Sequence, residues 1–393
     1  MLKILLHLVF RNLKGSGLRT FLNTLVLSMA YVMLLFSQGL YQGWHRQALK
    51  ELEDTFYGNG WLVAPNYDRY EMVAIEDFRQ KVPATLQTAV QQDRLIPLLL
   101  HPGVVSPHRR LQNVLLIGIP ASQEALSLPT TVLAESKGNV LPTFIGEGTA
   151  RRFQLHPGDT LMLEWRDTEG ALDARELYIA RVVTSSIPII QNNTFWLPLD
   201  SLRKMLSAPQ AATILVVPPG NEPPPVPAGW RFMSLEELTR DLEQLIRMKS
   251  IGSYVFLFIL LAMGLLAIFD TQVLSVFRRV KEIGTLLALG MTRKQLVALF
   301  TLEGTAQGFL ALGLSLVWGA PLLFAAQRFG IPLPAQTSSF GIVIGKALYP
   351  EFGLALVGGG ALLIMVAVTV VSYWPVRRLA QLEPSQALRK GSL

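Results

Sequence analysis

The chain has no cysteine, so disulfides, thiolate metal centres and cysteine nucleophiles are excluded from its chemistry. Charge is scarce as well. Only 16% of the 393 residues are Asp, Glu, Lys or Arg and 50% are hydrophobic, a balance too apolar for an ordinary soluble protein of this length. Histidine occurs at five positions, His7, His45, His101, His108 and His156, without the i, i+4 spacing and adjacent glutamate of a helical zinc site. No catalytic constellation and no metal site is expected from them. The stretch "GIVIGK", Gly341 to Lys346, is one residue short of a phosphate loop and has Ala347 where a hydroxyl would hold magnesium, so it is set aside as a nucleotide site.

What the chain has instead is length without charge. Four uncharged runs, Thr20 to Trp44, Ser250 to Phe269, Gly304 to Gln327 and Phe352 to Val376, each match the roughly 20 residues that cross a hydrocarbon core of about 30 Å. The first is preceded by Lys3, Arg11, Lys14 and Arg19, like the start of a secretory signal. Its 25 uncharged residues exceed a typical signal core and no convincing cleavage site follows, so an uncleaved anchor is expected.

Basic residues resist translocation, and their placement predicts orientation. Four Lys and Arg lie in the N-terminal flank and five in the second-to-third connection (Arg278, Arg279, Lys281, Arg293, Lys294). Four more lie in the C-terminal tail (Arg377, Arg378, Arg389, Lys390), whereas the third-to-fourth connection has only Arg328 and Lys346. Both termini and the second connection are expected to be cytoplasmic. The connection from Arg46 to Lys249 holds 20 basic and 23 acidic residues and is expected to be an extracytoplasmic domain. The net charge of +7 is then a topology signal, with no reason to invoke nucleic acid.

The predicted fold class is an α-helical membrane protein with four transmembrane helices and a large α+β domain inserted between the first and second. The expected order is an amphipathic segment (1–19), span one (20–44), the outer domain with stalk helices (45–249) and span two (250–274). A connecting helix (275–294), span three (295–327), a short outer loop (328–351), span four (352–376) and a tail (377–393) follow. "WHRQALKELEDTF" and "SLEELTRDLEQLIRMKS" read as stalks continuous with the spans, the second with Ser234 and Glu237 at capping-box spacing. Between them, "WLVA", "NVLLIGI", "DTLMLEW", "ELYIARVV" and "TILVV" read as strands, and "MVAIEDFRQ" and "LDSLRKML" as helical pieces. Two strands are expected to join around Thr168, Glu169 and Gly170. The Pro-rich Pro218 to Pro227 is expected to link the core to the second stalk. The domain is expected to have one lobe or two.

The most structured connection is "SVFRRVKEIGTLLALGMTRKQL", Ser275 to Leu296. On a helical wheel Val276, Val280, Ile283, Leu287 and Gly290 share one face within about 80°, and Arg278, Lys281, Glu282 and Thr285 lie opposite, as in an interfacial helix. Leu289 projects among Arg278, Glu282 and Thr285, as a small docking knob would. Gly290 is placed to end the helix with positive φ. Thr292 and Gln295 offer a capping box for the next one. Among ionisable groups near the spans, Asp270 and Glu303 are candidate intramembrane polar sites, expected at interfacial or bundle-facing positions.

Arg279, Glu282-Ile283-Gly284, Ala288-Leu289-Gly290 and Thr292-Arg293 together resemble the conserved pattern of the FtsX-like permease family, the membrane subunits of ABC systems that include MacB and the lipoprotein-releasing LolC/LolE. "RNLKGSGLRT", with Arg11, Asn12 and Arg19, and "PVRRLAQLEPSQALR", with Pro375, Arg377, Arg378, Pro384 and Leu388, resemble that family's flanking motifs. "LLIGIPASQEALSLPT", "FIGEGTARRFQLHPGDTLMLEW" and "NTFWLPLDSLRKML" resemble outer segments of the LolC/LolE branch. The chain departs from the pattern at Asp270, where Asn is common, and at Leu287, where Arg is common.

The resemblance implies a non-catalytic permease subunit of the bacterial inner membrane, paired with a second permease chain, identical or homologous. It binds no cofactor itself; a cytoplasmic ABC ATPase dimer carries ATP and magnesium. Arg279, Glu282, Gly284, Leu289, Gly290 and Arg293 would couple to that ATPase. Cargo would be a lipoprotein or other lipid-bearing molecule taken from the membrane lipid, with a periplasmic adaptor or lipoprotein acceptor as a further partner. Two alternatives stay open: a MacB-like efflux permease, and an FtsX-like transducer that activates an envelope hydrolase and transports nothing.

Overall fold

The structure, a computed structural model, describes residues 9, 11, 17–71, 75–135, 140–185, 187–278, 284–285, 290–332 and 347–379. It divides into two compact units. One comprises Met1–Trp44, Leu245–Pro332 and Leu348–Leu393; the other comprises His45–Gln244 and Leu333–Ala347.

The second unit is built on strands β1 (Gly60–Val63), β2 (Gln80–Lys81), β3 (Ile96–Val105), β4 (Gln112–Ile119), β5 (Leu141–Gly146) and β6 (Thr160–Arg166). They continue with β7 (Leu172–Val183), β8 (Thr194–Pro198), β9 (Ala211–Ala212), β10 (Ile214–Val217) and β11 (Arg231–Ser234). The main sheet runs β11-β1-β10-β3-β4-β8-β5-β7-β6. Its last strand meets β3 again through Val104 opposite Glu164 and Val105 opposite Leu163, so the six strands from β3 to β6 close on themselves. Closure removes two unpaired sheet edges. Leu99, Leu116, Ile145, Leu163, Leu177 and Phe195 fill the interior of this ring.

β3 serves two lobes. Its first residues, Ile96 to Leu98, pair with β10, and Leu99 to Val105 pair with β4. The β10-β1-β11 side has its own core of Leu62, Val82, Leu86, Leu95, Leu215 and Trp230. Alternation explains the inward faces: along β6 the buried positions are Leu161, Leu163 and Trp165, the period of two that a pleated strand imposes. The β6–β7 hairpin forms as expected, in register from Thr160 opposite Tyr178 to Arg166 opposite Leu172. In its turn Asp167 accepts from the Glu169 and Ala171 amides at 2.9 and 2.8 Å, and Gly170 takes φ +87°.

Two local expectations are corrected. "MVAIEDFRQ" is not one helix: residues 72–74 lie outside the described set, Ile75–Phe78 form a single 3-10 turn and Gln80 already begins β2. β2 finds its partner in β9 far along the chain, so a long-range ladder overrides the local helical pattern. The Pro-rich segment does not run straight into the second stalk, because β11 intervenes and pairs with β1. Short helices α2 (Ala84–Gln91), α3 (Glu147–Phe153), α4 (Pro188–Gln191) and α5 (Leu199–Met205) complete this unit; α5 is the expected "LDSLRKML" piece.

Four long helices, α1 (Gly17–Leu52), α6 (Leu235–Arg278), α7 (Arg293–Phe329) and α8 (Leu354–Leu379), account for the other unit and for both stalks. Each stalk is continuous with its long helix, and the Ser234 hydroxyl accepts from the Glu237 amide at 3.3 Å at the start of α6. Among the described residues three helical stretches are long and apolar enough to cross a membrane: Thr20–Tyr57, Arg293–Phe329 and Leu354–Trp374. The expected span in α6 is a shorter apolar stretch, Tyr254–Asp270.

Small residues and polar pairs hold these helices together, as they do where lipid supplies no hydrophobic driving force. A side chain at Gly319 would bring its Cβ to 2.3 Å from Val32, and one at Gly308 to 2.9 Å from the Met365 sulfur. Trp318 donates to the Ser28 hydroxyl at 2.7 Å, Tyr31 to the Val357 carbonyl at 2.8 Å, and Thr305 and Thr369 meet at 3.2 Å.

Candidate functional site

The connection between α6 and α7 carries the densest set of sequence expectations. Of its candidate residues, Arg279, Glu282 and Leu289 lie outside the described residues. Gly284 and Thr285 are helical. Gly290 has φ +94° with nothing within 4 Å of a Cβ built on it, so backbone conformation and not crowding requires glycine there. Two residues on, the Thr292 hydroxyl accepts from the Gln295 amide at 3.4 Å while the Gln295 side chain accepts from the Thr292 amide at 2.8 Å. That reciprocal cap is complete, satisfies orphan donors at the helix start and sets Arg293 as the exposed first residue of α7.

Arg19 and the candidates on α8 belong to one end of the unit, because α1 and α8 run antiparallel, with Gly39 beside Phe352 and Gly360 beside Tyr31. Arg11 is helical and exposed, Arg19 falls in α1, and Pro375, Arg377 and Arg378 fall in the last turns of α8 with Arg377 exposed. Asn12, Pro384 and Leu388 lie outside the described residues. The two carboxylates near the spans differ. Asp270 is exposed, whereas Glu303 is only 4% exposed on the inner stripe of α7 with Gln307 one turn later. Among the described residues no group of three or more His, Asp or Glu could hold a metal ion.

The structure adds a joint in the sheet unit that the sequence alone did not reveal. α1 ends in a π-helical turn, Glu53–Tyr57, which drives Phe56 into the core. Its ring meets Trp61 of β1 edge-on at 5.2 Å and Trp196 of β8 at 5.9 Å, and Trp196 stacks on Phe144 of β5 at 5.4 Å. Such edge-to-face contacts add about 0.5–1.5 kcal/mol each beyond area burial. The indole of Trp61 also donates to the Phe56 carbonyl at 3.3 Å. One residue thus ties the first stalk to both lobes.

Arg69, in the segment after β1, secures the second stalk. Its guanidinium donates to the Leu238 carbonyl and to the Asp241 carboxylate, both in the first turns of α6, and lies over the Tyr70 ring at 4.8 Å. Burial raises the hydroxyl pKa of Tyr57 and of Tyr67 beside it; Arg69 opposes that shift in both and Asp241 adds to it at Tyr57. The two stalk roots therefore share an electrostatic neighbourhood. Separation explains why this was illegible: Arg69 and Asp241 are 172 positions apart, and nothing local marks either residue.

Among the described residues His101, on β3, is the one buried histidine. Its Nε2 lies 2.9 Å from the Arg166 carbonyl, which can only accept, so the proton sits on Nε2. Nδ1 lies 3.8 Å from Glu76. Burial lowers its pKa, with Glu76 pulling the other way and Arg79 adding to the depression. A neutral imidazole inside a sheet lobe is a packing residue here.

Among solved structures the chain is similar to the periplasmic region of MacB from Actinobacillus actinomycetemcomitans, at 11% identity over 50% of this chain and 97% of that one, with a TM-score of 0.33. No curated protein matches the chain. Residues 254–384, which take in most of α6, the capped connection, α7 and α8, match the family described as FtsX-like permease C-terminal.

Proposed function

We propose that the chain is the membrane-spanning permease subunit of an ABC system, moved by a separate cytoplasmic ATPase. The observation that carries this reading is the match of residues 254–384 to the FtsX-like permease C-terminal family. The local geometry agrees with it: the positive φ of Gly290 and the complete cap at Thr292 mark where the charged connection turns into α7. In this reading α6 carries the second of four membrane spans, both termini face the cytoplasm of a bacterial inner membrane, and two permease chains, identical or homologous, stand over two ATPase subunits. ATP and magnesium belong to the ATPase.

Each residue then has a task. Leu289 enters a groove on the ATPase, Glu282, Arg279 and Arg293 make polar contacts around it, and Gly284 and Gly290 shape the backbone. Closure of the ATPase pair on ATP displaces the spans, and α1 and α6 carry the displacement outward through the roots fixed by Phe56 and Arg69. The favoured cargo is a lipoprotein or other lipid-bearing molecule taken from the outer leaflet, because such cargo requires mechanical extraction and no aqueous path between helices.

The test is the ATP turnover and association of the purified complex carrying Leu289→Arg or Glu282→Lys. Loss of both is expected, since a docking residue replaced by an unpaired charge weakens an interface strongly. Unchanged association and turnover in both variants would remove the coupling assignment. Crosslinking of the outer domain to a cell-wall hydrolase, with no lipid cargo, would replace transport by signalling.

A further inference from the structure

The surface of the helical unit has a groove of about 510 Å³ between α6 and α8, lined only by aliphatic and aromatic side chains. Phe258, Leu261, Leu265 and Phe269 line it from one helix, and Val370 and Trp374 from the other. On α6 the lining positions follow i, i+3, i+7, i+11, a single helical stripe. That stripe is about 16 Å long by helical rise, close to the depth of one leaflet, about half of a 30 Å core.

The groove is unlike a seam between membrane helices. Close helix packing in lipid uses Gly, Ala and Ser, and the small residue Gly264 of α6 faces Val26 and Leu27 of α1 instead. Along the groove only Ala262 is small. Bulky walls around an open slot leave room for a chain of methylenes and hold a helix of 10–12 Å diameter at a distance.

One end of the slot is polar and basic. Val370, Trp374 and Arg377 recur at four and three residues on α8, so Arg377 continues the lining stripe one turn past Trp374. Its guanidinium is exposed and lies 5.9 Å from the Tyr373 ring centroid. Aromatic residues beside a basic one are the pattern of a bilayer interface on the anionic side.

We infer that this groove binds an anionic phospholipid, one acyl chain between α6 and α8 and the phosphate on Arg377. The inference rests on the proposed membrane reading, in which α8 ends on the cytoplasmic side. Binding there would place a lipid against the two helices that flank the coupling connection.

The probe is brominated phosphatidylglycerol against brominated phosphatidylcholine in bilayer discs holding the full chain. Trp374's fluorescence is read as the difference between the unaltered chain and Trp374→Phe. Phosphatidylglycerol should quench that share at about fivefold lower mole fraction than phosphatidylcholine, the discrimination one basic residue supplies near a membrane surface. Arg377→Gln should abolish the preference while leaving quenching intact, and Arg377→Lys should retain it. Equal quenching by both lipids in the unaltered chain overturns the proposal. So does efficient disulfide formation between copies by Leu266→Cys in this cysteine-free chain, because a second copy then occupies the groove. If neither lipid quenches Trp374 or Trp318, the membrane reading itself fails and takes the proposal with it.

Discussion

Leu172 and Val317 are equally exposed, at 74% each, yet they belong to units built for different surroundings. Leu172 starts β7 of the sheet unit, where the interior of a closed sheet hides Leu116, Leu163 and Phe195 completely. Val317 sits on α7 with Phe309, Leu316 and Phe324, each more than 60% exposed. In the sheet unit, burial is the driving force and an exposed leucine is incidental. In the helical unit the outward face is the apolar one, and cohesion comes from Gly319 against Val32 and from half-buried polar contacts, Thr305 with Thr369 and Trp318 with Ser28. Exposure alone therefore does not say what a residue contributes; the surroundings its unit is built for do.

The largest effect should come from the joint. Phe56→Ala removes a buried ring from between Trp61 and Trp196, and should destabilise the sheet unit by about 3–5 kcal/mol. Tryptophan fluorescence during denaturant unfolding of the full chain should show it, with ATPase association unchanged. A variant that loses the ATPase and keeps its unfolding midpoint would break the contrast between the units.

The matched pair comes next. Val317→Asp should cost about 2.5–3.5 kcal/mol in membrane insertion, as for a charge at a span centre, whereas Leu172→Asp should stay within about 0.5 kcal/mol in stability. Carbonate extraction for the first and thermal unfolding for the second give the two readings. Equal tolerance at both sites would mean that α7 does not face lipid.

The smallest effect is a pH dependence confined to the sheet unit. Above about pH 6.5 His101 is neutral in both folded and unfolded chains. Below it the unfolded chain takes up a proton that burial denies the folded one, so stability falls as pH drops towards the lowered folded pKa. The slope is at most about 1.4 kcal/mol per pH unit. Unfolding midpoints between pH 7.5 and 5.5 should show it, and His101→Gln should flatten it.

Short-range features were the legible ones. Uncharged runs foretold the long helices, because span length follows directly from helical rise. "NVLLIGI" and "DTLMLEW" foretold β4 and β6, because alternation and β-branched content act within a few residues. Gly290 and the Thr292–Gln295 cap were readable for the same reason. What escaped depends on distant partners: β3 returning to β6, β11 added beside β1, Arg69 reaching Asp241, and the π turn that aims Phe56 inward. The helical pattern around Ile75 misled because β9 supplies a ladder that the local sequence does not announce.

The most direct measurement is affinity purification of the chain from membranes in mild detergent, followed by ATP turnover of what is recovered. The account predicts an ABC ATPase in equal number to the permease chains, with turnover that Leu289→Arg abolishes. Recovery of the chain without any ATPase, and with no response to ATP and magnesium, would contradict it.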